Sequence, residues 1–123
     1  MELTEYKADI DYRITAYDSS SITINQTVYS NNVIVSPTAL IENWPAQSIE
    51  TLTLDLLQPA IALQPELLLI GSGSQLKRLS HSLSSYLSGK RIKVECMDTK
   101  AACRTYVALT AEGRHVAAAL LMK

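Results

Sequence analysis

Apolar positions change their rhythm once along this chain. In the first third they come in short β-branched runs, Ile22-Thr23-Ile24, Val28-Tyr29 and Val33-Ile34-Val35, separated by Asn25-Gln26 and Ser30-Asn31-Asn32. Asparagine tolerates positive φ, so the pattern predicts tight turns in an antiparallel meander. All 4 glycines lie at or beyond residue 71, which leaves asparagine to do the turning in the first half. Pro37 ends the third run, and Trp44-Pro45 falls in the connection that follows. Residues up to about Asp18 are mixed and polar, with Ile10, Tyr12, Ile14 and Tyr17 able to pack against something larger.

From Thr53 the period changes. Thr53 can cap a short helix carrying Leu54, Leu56 and Leu57, limited by Pro59. Leu67-Leu68-Leu69-Ile70 lacks alternation, as expected of a strand covered on both faces. Leu76, Leu79, Leu83 and Leu87 follow at helical spacing, with Lys77, Arg78 and Ser84 off that stripe, and Gly89 stops the helix. Ile92-Lys93-Val94-Glu95 makes another strand. A helix over 100–111, capped by Asp98 or Thr99, presents Ala102, Tyr106 and Leu109 on one face and stops at Gly113 in the C′ position. Val116 to Leu121 is the final, continuously apolar strand. Alternating strand and helix imply parallel pairing through crossovers, so the chain is expected to be a mixed-sheet α/β domain.

At 123 residues the chain fits one domain able to bury a core without metals or disulfides, with residues 1–17 as a candidate peripheral extension. The net charge is -1 and no basic stripe gathers the 11 Lys and Arg, so nucleic acid is not an expected partner. Cys96 and Cys103, the 2 cysteines, point to a reduced compartment rather than a disulfide scaffold. The start, Met1-Glu2-Leu3-Thr4-Glu5, has neither the basic-then-apolar character of a signal peptide nor the Arg-rich character of a transit peptide. No apolar run approaches the roughly 20 residues a membrane helix needs. A cytoplasmic domain without a transmembrane segment is the expectation.

Certain residues resemble a known family when taken in order. They are Gly71-Ser72-Gly73 behind the Leu67–Ile70 run, Asp98-Thr99, Ala101-Ala102-Cys103-Arg104-Thr105-Tyr106, Glu112-Gly113-Arg114 and the Val116-Ala117-Ala118-Ala119 run. Together they resemble the Mth938-like (DUF498) domains, a small family of largely unknown function that includes a mitochondrial respiratory complex I assembly factor. The resemblance implies a three-layer domain: a five-stranded mixed sheet, helices, and an extra small antiparallel β layer. Ser72 stands where the family usually has Thr, which keeps a hydroxyl. Val107 stands where it usually has Asn, which removes a polar group from the best candidate site.

Two stretches have chemical logic. Gly71-Ser72-Gly73-Ser74, between a buried strand and a helix, could offer backbone N–H groups to a phosphate or carboxylate. Glu95, at the end of the next strand, stands about where a dinucleotide-binding acid would meet a ribose. However, Leu76 replaces the third glycine of that fingerprint, and no phosphate-loop lysine with a following Ser or Thr is present. The plain alternative is a tight turn with Ser74 capping the helix. Arg104, Thr105 and Arg114 flank the other strand–helix–strand edge, where Arg114 could bridge to Glu112 or meet a ligand anion. Cys103, mid-helix beside alanines, reads as core, and Cys96 has no Cys-x-x-Cys partner. His81 and His115 stand in no metal or triad pattern. The expectation is therefore a non-enzymatic binding or assembly domain without cofactor or metal. It would act on a protein partner, with a homodimer among its assemblies. The rival is a small anion- or nucleotide-binding enzyme using Gly71–Ser74 with Arg104 and Arg114.

Overall fold

A computed structural model describes residues 10–18 and 20–122. Among the described residues, eight strands and three α-helices form three layers. The middle layer is a five-stranded sheet of β4 (Val33–Ser36), β5 (Ala39–Ile41), β6 (Leu67–Gly71), β7 (Lys93–Met97) and β8 (Val116–Leu120), in the order β5-β4-β8-β6-β7. β6 is parallel to both β7 and β8, whereas β4 is antiparallel to β8 and β5. The expected α/β mixed sheet with an added small β layer is the observed architecture.

Alternation within the strands divides the core. Leu68, Ile70, Ala117, Ala119 and Ile34 face α1 (Leu54–Ile61) and α2 (His81–Gly89). Leu67, Leu69, Val116, Ala118 and Leu120 face α3 (Thr99–Ala111) together with Ile14, Ile22 and Ile24 of the small sheet. That small sheet pairs β1 (Ile14–Tyr17), β2 (Ile22–Ile24) and β3 (Thr27–Tyr29) antiparallel, in chain order. Both continuously apolar runs are interior strands covered on two faces, as their lack of alternation requires. Every residue of β6 and β8 is buried.

The first half is where pattern and structure part. Asn25, with φ 58°, turns β2 into β3 as expected. The third run does not continue the meander. Val33, Ile34 and Val35 are wholly buried, so β4 needs cover on both faces and crosses into the central sheet beside β8. Ser30–Asn32 is thus a passage between sheets rather than a hairpin turn. Pro37 ends this strand as expected, and the chain turns back into β5 through Ser36-Pro37-Thr38-Ala39. Ser36 Oγ, fully buried, accepts from the N–H groups of Thr38 and Ala39 to hold that turn.

Helix starts were legible where a cap follows directly on the pattern. Thr53 accepts from Leu56 N–H, and Asp98 accepts from Ala101 N–H at 2.9 Å. Pro59 lies inside α1, which continues to Ile61, since a two-turn helix forfeits only one internal bond to it. Ser74 is not the cap of α2; Ser80 is, accepting from Leu83 N–H. Local side-chain bonds hold the intervening residues out of the helix. Ser72 Oγ donates to the Gln75 carbonyl at 2.6 Å and accepts from Lys77 N–H at 3.1 Å, leaving Leu76 exposed. Gly113, at φ 83°, ends α3 as expected.

Candidate functional site

In open α/β sheets the ligand crevice opens at the carboxyl ends of adjacent strands whose following helices go to opposite faces. β6 leads to α2 on one face and β7 to α3 on the other, so the switch point lies between Gly71 and Met97. The Gly71–Ser74 loop sits there. Two of its amides already have acceptors: Ser72 N–H donates to the Met97 carbonyl at 2.8 Å, and Gly73 N–H donates to Thr99 Oγ1 at 2.8 Å. Thr99 in turn donates from Oγ1 to the Leu121 carbonyl, and its own N–H donates to the Gly73 carbonyl at 2.9 Å. Gly71 is required by proximity, since a Cβ there would stand 2.8 Å from Thr99 Oγ1 and 3.0 Å from Thr99 Cα. The start of α3 is thus riveted onto the strand ends, and the crevice is filled from within.

The arginines lie elsewhere. Arg114 follows α3 and precedes β8, at the opposite end of the sheet, where Nε and Nη2 each stand 3.2 Å from Glu66 Oε1. Glu66, not Glu112, is its partner, because parallel pairing of β6 with β8 starts both strands side by side. Arg104 is exposed on α3, between the two sheet ends. Thr105 Oγ1 donates to the Ala101 carbonyl at 2.9 Å and reaches Met97 Sδ at 3.4 Å. Thirteen helical residues at about 1.5 Å each hold the Gly71–Ser74 loop and Arg114 roughly 20 Å apart, so they do not converge on one small anion.

Other candidate groups take structural places. Cys103 is fully buried and its burial pushes the thiol up to about 12, the opposite of what a thiolate nucleophile needs. Cys96 is also raised, by burial. Tyr106, fully buried, is raised by burial and donates its hydroxyl to the Tyr12 carbonyl at 2.9 Å. Trp44 is core, donating Nε1–H to the Leu56 carbonyl at 2.8 Å. His81 is exposed and His115 half-buried, and Val107 is exposed on α3. Among the described residues no group of three or more His, Cys, Asp or Glu could hold a metal ion.

A feature missed from the sequence is an open groove of about 770 Å³ at the same end of the sheet as the switch point, lined by Asn31, Asn32, Asn43, Trp44, Gln47 and Met122 among others. Asn32 joins three segments: Oδ1 accepts from Met122 N–H at 2.7 Å, Nδ2 donates to the Ala46 carbonyl at 2.6 Å, and its carbonyl accepts from Trp44 N–H. Asn31 Nδ2 donates to Asn43 Oδ1 at 2.9 Å, and Asn43 adopts φ 53°. Asn31 and Asn32 read in sequence as turn formers; only the return of Met122 to Asn32 makes a wall.

A three-layer mixed-sheet domain with its switch point closed by its own helix is the class defined here. The family "Protein of unknown function (DUF498/DUF598)" matches residues 14–121, and the chain belongs to that family. Among curated proteins it is similar to the NADH dehydrogenase [ubiquinone] 1 alpha subcomplex assembly factor 3 of Xenopus tropicalis, at 32% identity over 110 residues. That match takes in 88% of this chain and 60% of the relative. The human protein of the same name is 31% identical over 118 residues, covering 88% and 59%. The chain therefore spans about 60% of the length of these relatives. Among solved structures, a Bordetella parapertussis protein superposes with a TM-score of 0.83 at 40% identity, covering 89% of this chain and 94% of that one. A Bordetella pertussis Mth938-like domain gives 0.78 at 33% identity, covering 89% and 85%.

Proposed function

We propose that this chain is a non-enzymatic assembly-factor domain that works by holding a protein partner, in the line of respiratory-complex or membrane-protein biogenesis. The observation that carries it is similarity over 88% of the chain to relatives named as assembly factors of NADH dehydrogenase. A second support is that the Ser72 and Gly73 amides at the switch point are bonded to Met97 and Thr99 and so are not offered to an anion. Val28, Leu76 and Val107 supply exposed apolar side chains for such contacts, at 62%, 57% and 41% exposure. A cytoplasmic place of work goes with this reading, supported by Cys96 and Cys103 both being free thiols. Among the described residues no helix is long and apolar enough to cross a membrane, so any membrane protein in its pathway would be met as a partner.

The test is affinity capture from native lysate with mass spectrometry, run beside a thermal-shift panel of nucleotides and phosphorylated metabolites. The proposal expects a subunit or biogenesis component of a respiratory or membrane complex, and an unchanged melting temperature. A saturable metabolite shift abolished by Arg114→Ala would overturn it, because binding to the folded state raises the melting temperature.

A further inference from the structure

β7 is a five-residue strand at the margin of the central sheet, and two of its five residues turn their backbone groups away from it. Lys93 N–H donates to the Glu66 carbonyl at 3.3 Å and the Met97 carbonyl accepts from Ser72 N–H at 2.8 Å, so Lys93, Glu95 and Met97 turn their backbone groups toward β6. Backbone direction alternates along a strand, so Val94 and Cys96 point N–H and C=O outward. Among the described residues these four groups have no partner strand. Such an edge is normally protected by a charge, and Lys93 would do that alone. Here Lys93 and Glu95 stand on either side of Val94, both exposed and on one face. Lys93-Val94-Glu95 is its own complement. Antiparallel pairing about a twofold axis through Val94 sets each Lys93 against Glu95 of a second copy.

We propose that the chain forms a homodimer through β7, fusing two central sheets into one. The register that matches the charges is the one the free backbone groups allow. Val94 exchanges two hydrogen bonds with its counterpart across the axis, and Cys96 N–H meets the Ile92 carbonyl of the second copy on each side. Opposite charges directly across an antiparallel pair are stabilising, and like charges are not. On the other face, Val94 and Cys96 turn their side chains toward α2, where Ser84 and Ser88 form with Val94 a shallow trough of about 410 Å³. Serines on that side of α2 leave room for the second copy's α2 to approach at ordinary helix-packing distance. The interface then extends beyond the strand pair toward the area a stable dimer requires. The dimer does not depend on the assembly-factor reading, and a failed partner capture leaves it untouched.

Sedimentation equilibrium over a rising concentration series tests it. The wild-type chain should be dimeric. Val94→Pro removes an outward N–H while sparing the ladder to β6, and should give a monomer with unchanged circular dichroism. Lys93→Glu sets like charges against each other at both ends of the pair and should weaken the dimer by at least about tenfold in Kd. Lys93→Glu with Glu95→Lys should restore the wild-type Kd. Should Val94→Pro unfold, the two surface charge variants decide alone. A wild-type chain monomeric throughout, or a dimer indifferent to Lys93→Glu, would overturn the proposal.

Discussion

Thr99→Val removes one hydroxyl and keeps the shape of the side chain. Thr99 is 7% exposed, and its Oγ1 accepts from Gly73 N–H at 2.8 Å while donating to the Leu121 carbonyl at 2.5 Å. Valine fills the same volume and satisfies neither group. Each buried polar group left without a partner costs about 1–3 kcal/mol, so the substitution should cost about 2–6 kcal/mol. A domain of this size is stable by about 5–15 kcal/mol, so the loss is a large fraction of the whole. Thr99→Ser keeps both bonds and loses one methyl, at roughly 1 kcal/mol. Urea denaturation of the three proteins measures the difference, and hydrogen exchange of the Gly73 amide should accelerate in Thr99→Val alone. If valine is no worse than serine, the hydroxyl is not what rivets α3 to the strand ends, and the account of the closed switch point fails.

Other substitutions follow from the same geometry. Gly113→Ala places a Cβ at φ 83° with nothing nearby to clash, so only backbone strain operates and the loss should be about 1 kcal/mol in the urea midpoint. Gly71→Ala should cost more, about 1–3 kcal/mol, since its Cβ would press within 3.0 Å of the Thr99 backbone. Arg114→Ala should change stability by less than about 1 kcal/mol, because its pair with Glu66 is 43% and 54% exposed and solvent screens it. Alkali should unfold the protein in a Cys103-dependent way. Its thiol is held neutral up to about 12 when folded against 9.0 as a free group. The unfolded chain therefore ionises first, and stability present below pH 9.0 drains away as the pH climbs toward about 12. Cys103→Ala should flatten that decline in urea midpoints measured across the range, leaving the part that belongs to Tyr106, which is raised in the same direction.

The second half of the chain was open to reading because its elements announce themselves locally. Leu67–Ile70 and Val116–Leu121 have no alternation, and a strand without alternation has no face for water. Asp98 and Gly113 mark the two ends of α3 with chemistry that acts within one turn of the helix. The Asn25 turn is likewise local. The start of α2 was misplaced for the complementary reason. The leucine spacing from Leu76 is helical, yet Ser72 Oγ and the burial of Leu79 hold that segment in a turn until Ser80.

Sequence by itself determined the class: which segments are buried on two faces, where three helices begin or end, and which family the ordered motifs belong to. Tertiary structure alone decided what those segments are near. β4 left the meander because β8, more than eighty residues later, offered Val33–Val35 a second buried face. Arg114 found Glu66 because β6 and β8 start side by side, and the amides of Ser72 and Gly73 found Met97 and Thr99 because α3 begins where β6 ends. The physical reason is range. Capping, turn geometry and apolar period act over a few residues and are written in order along the chain. Which polar group meets which depends on strand register and crossover, and these are fixed only when distant apolar faces bury one another.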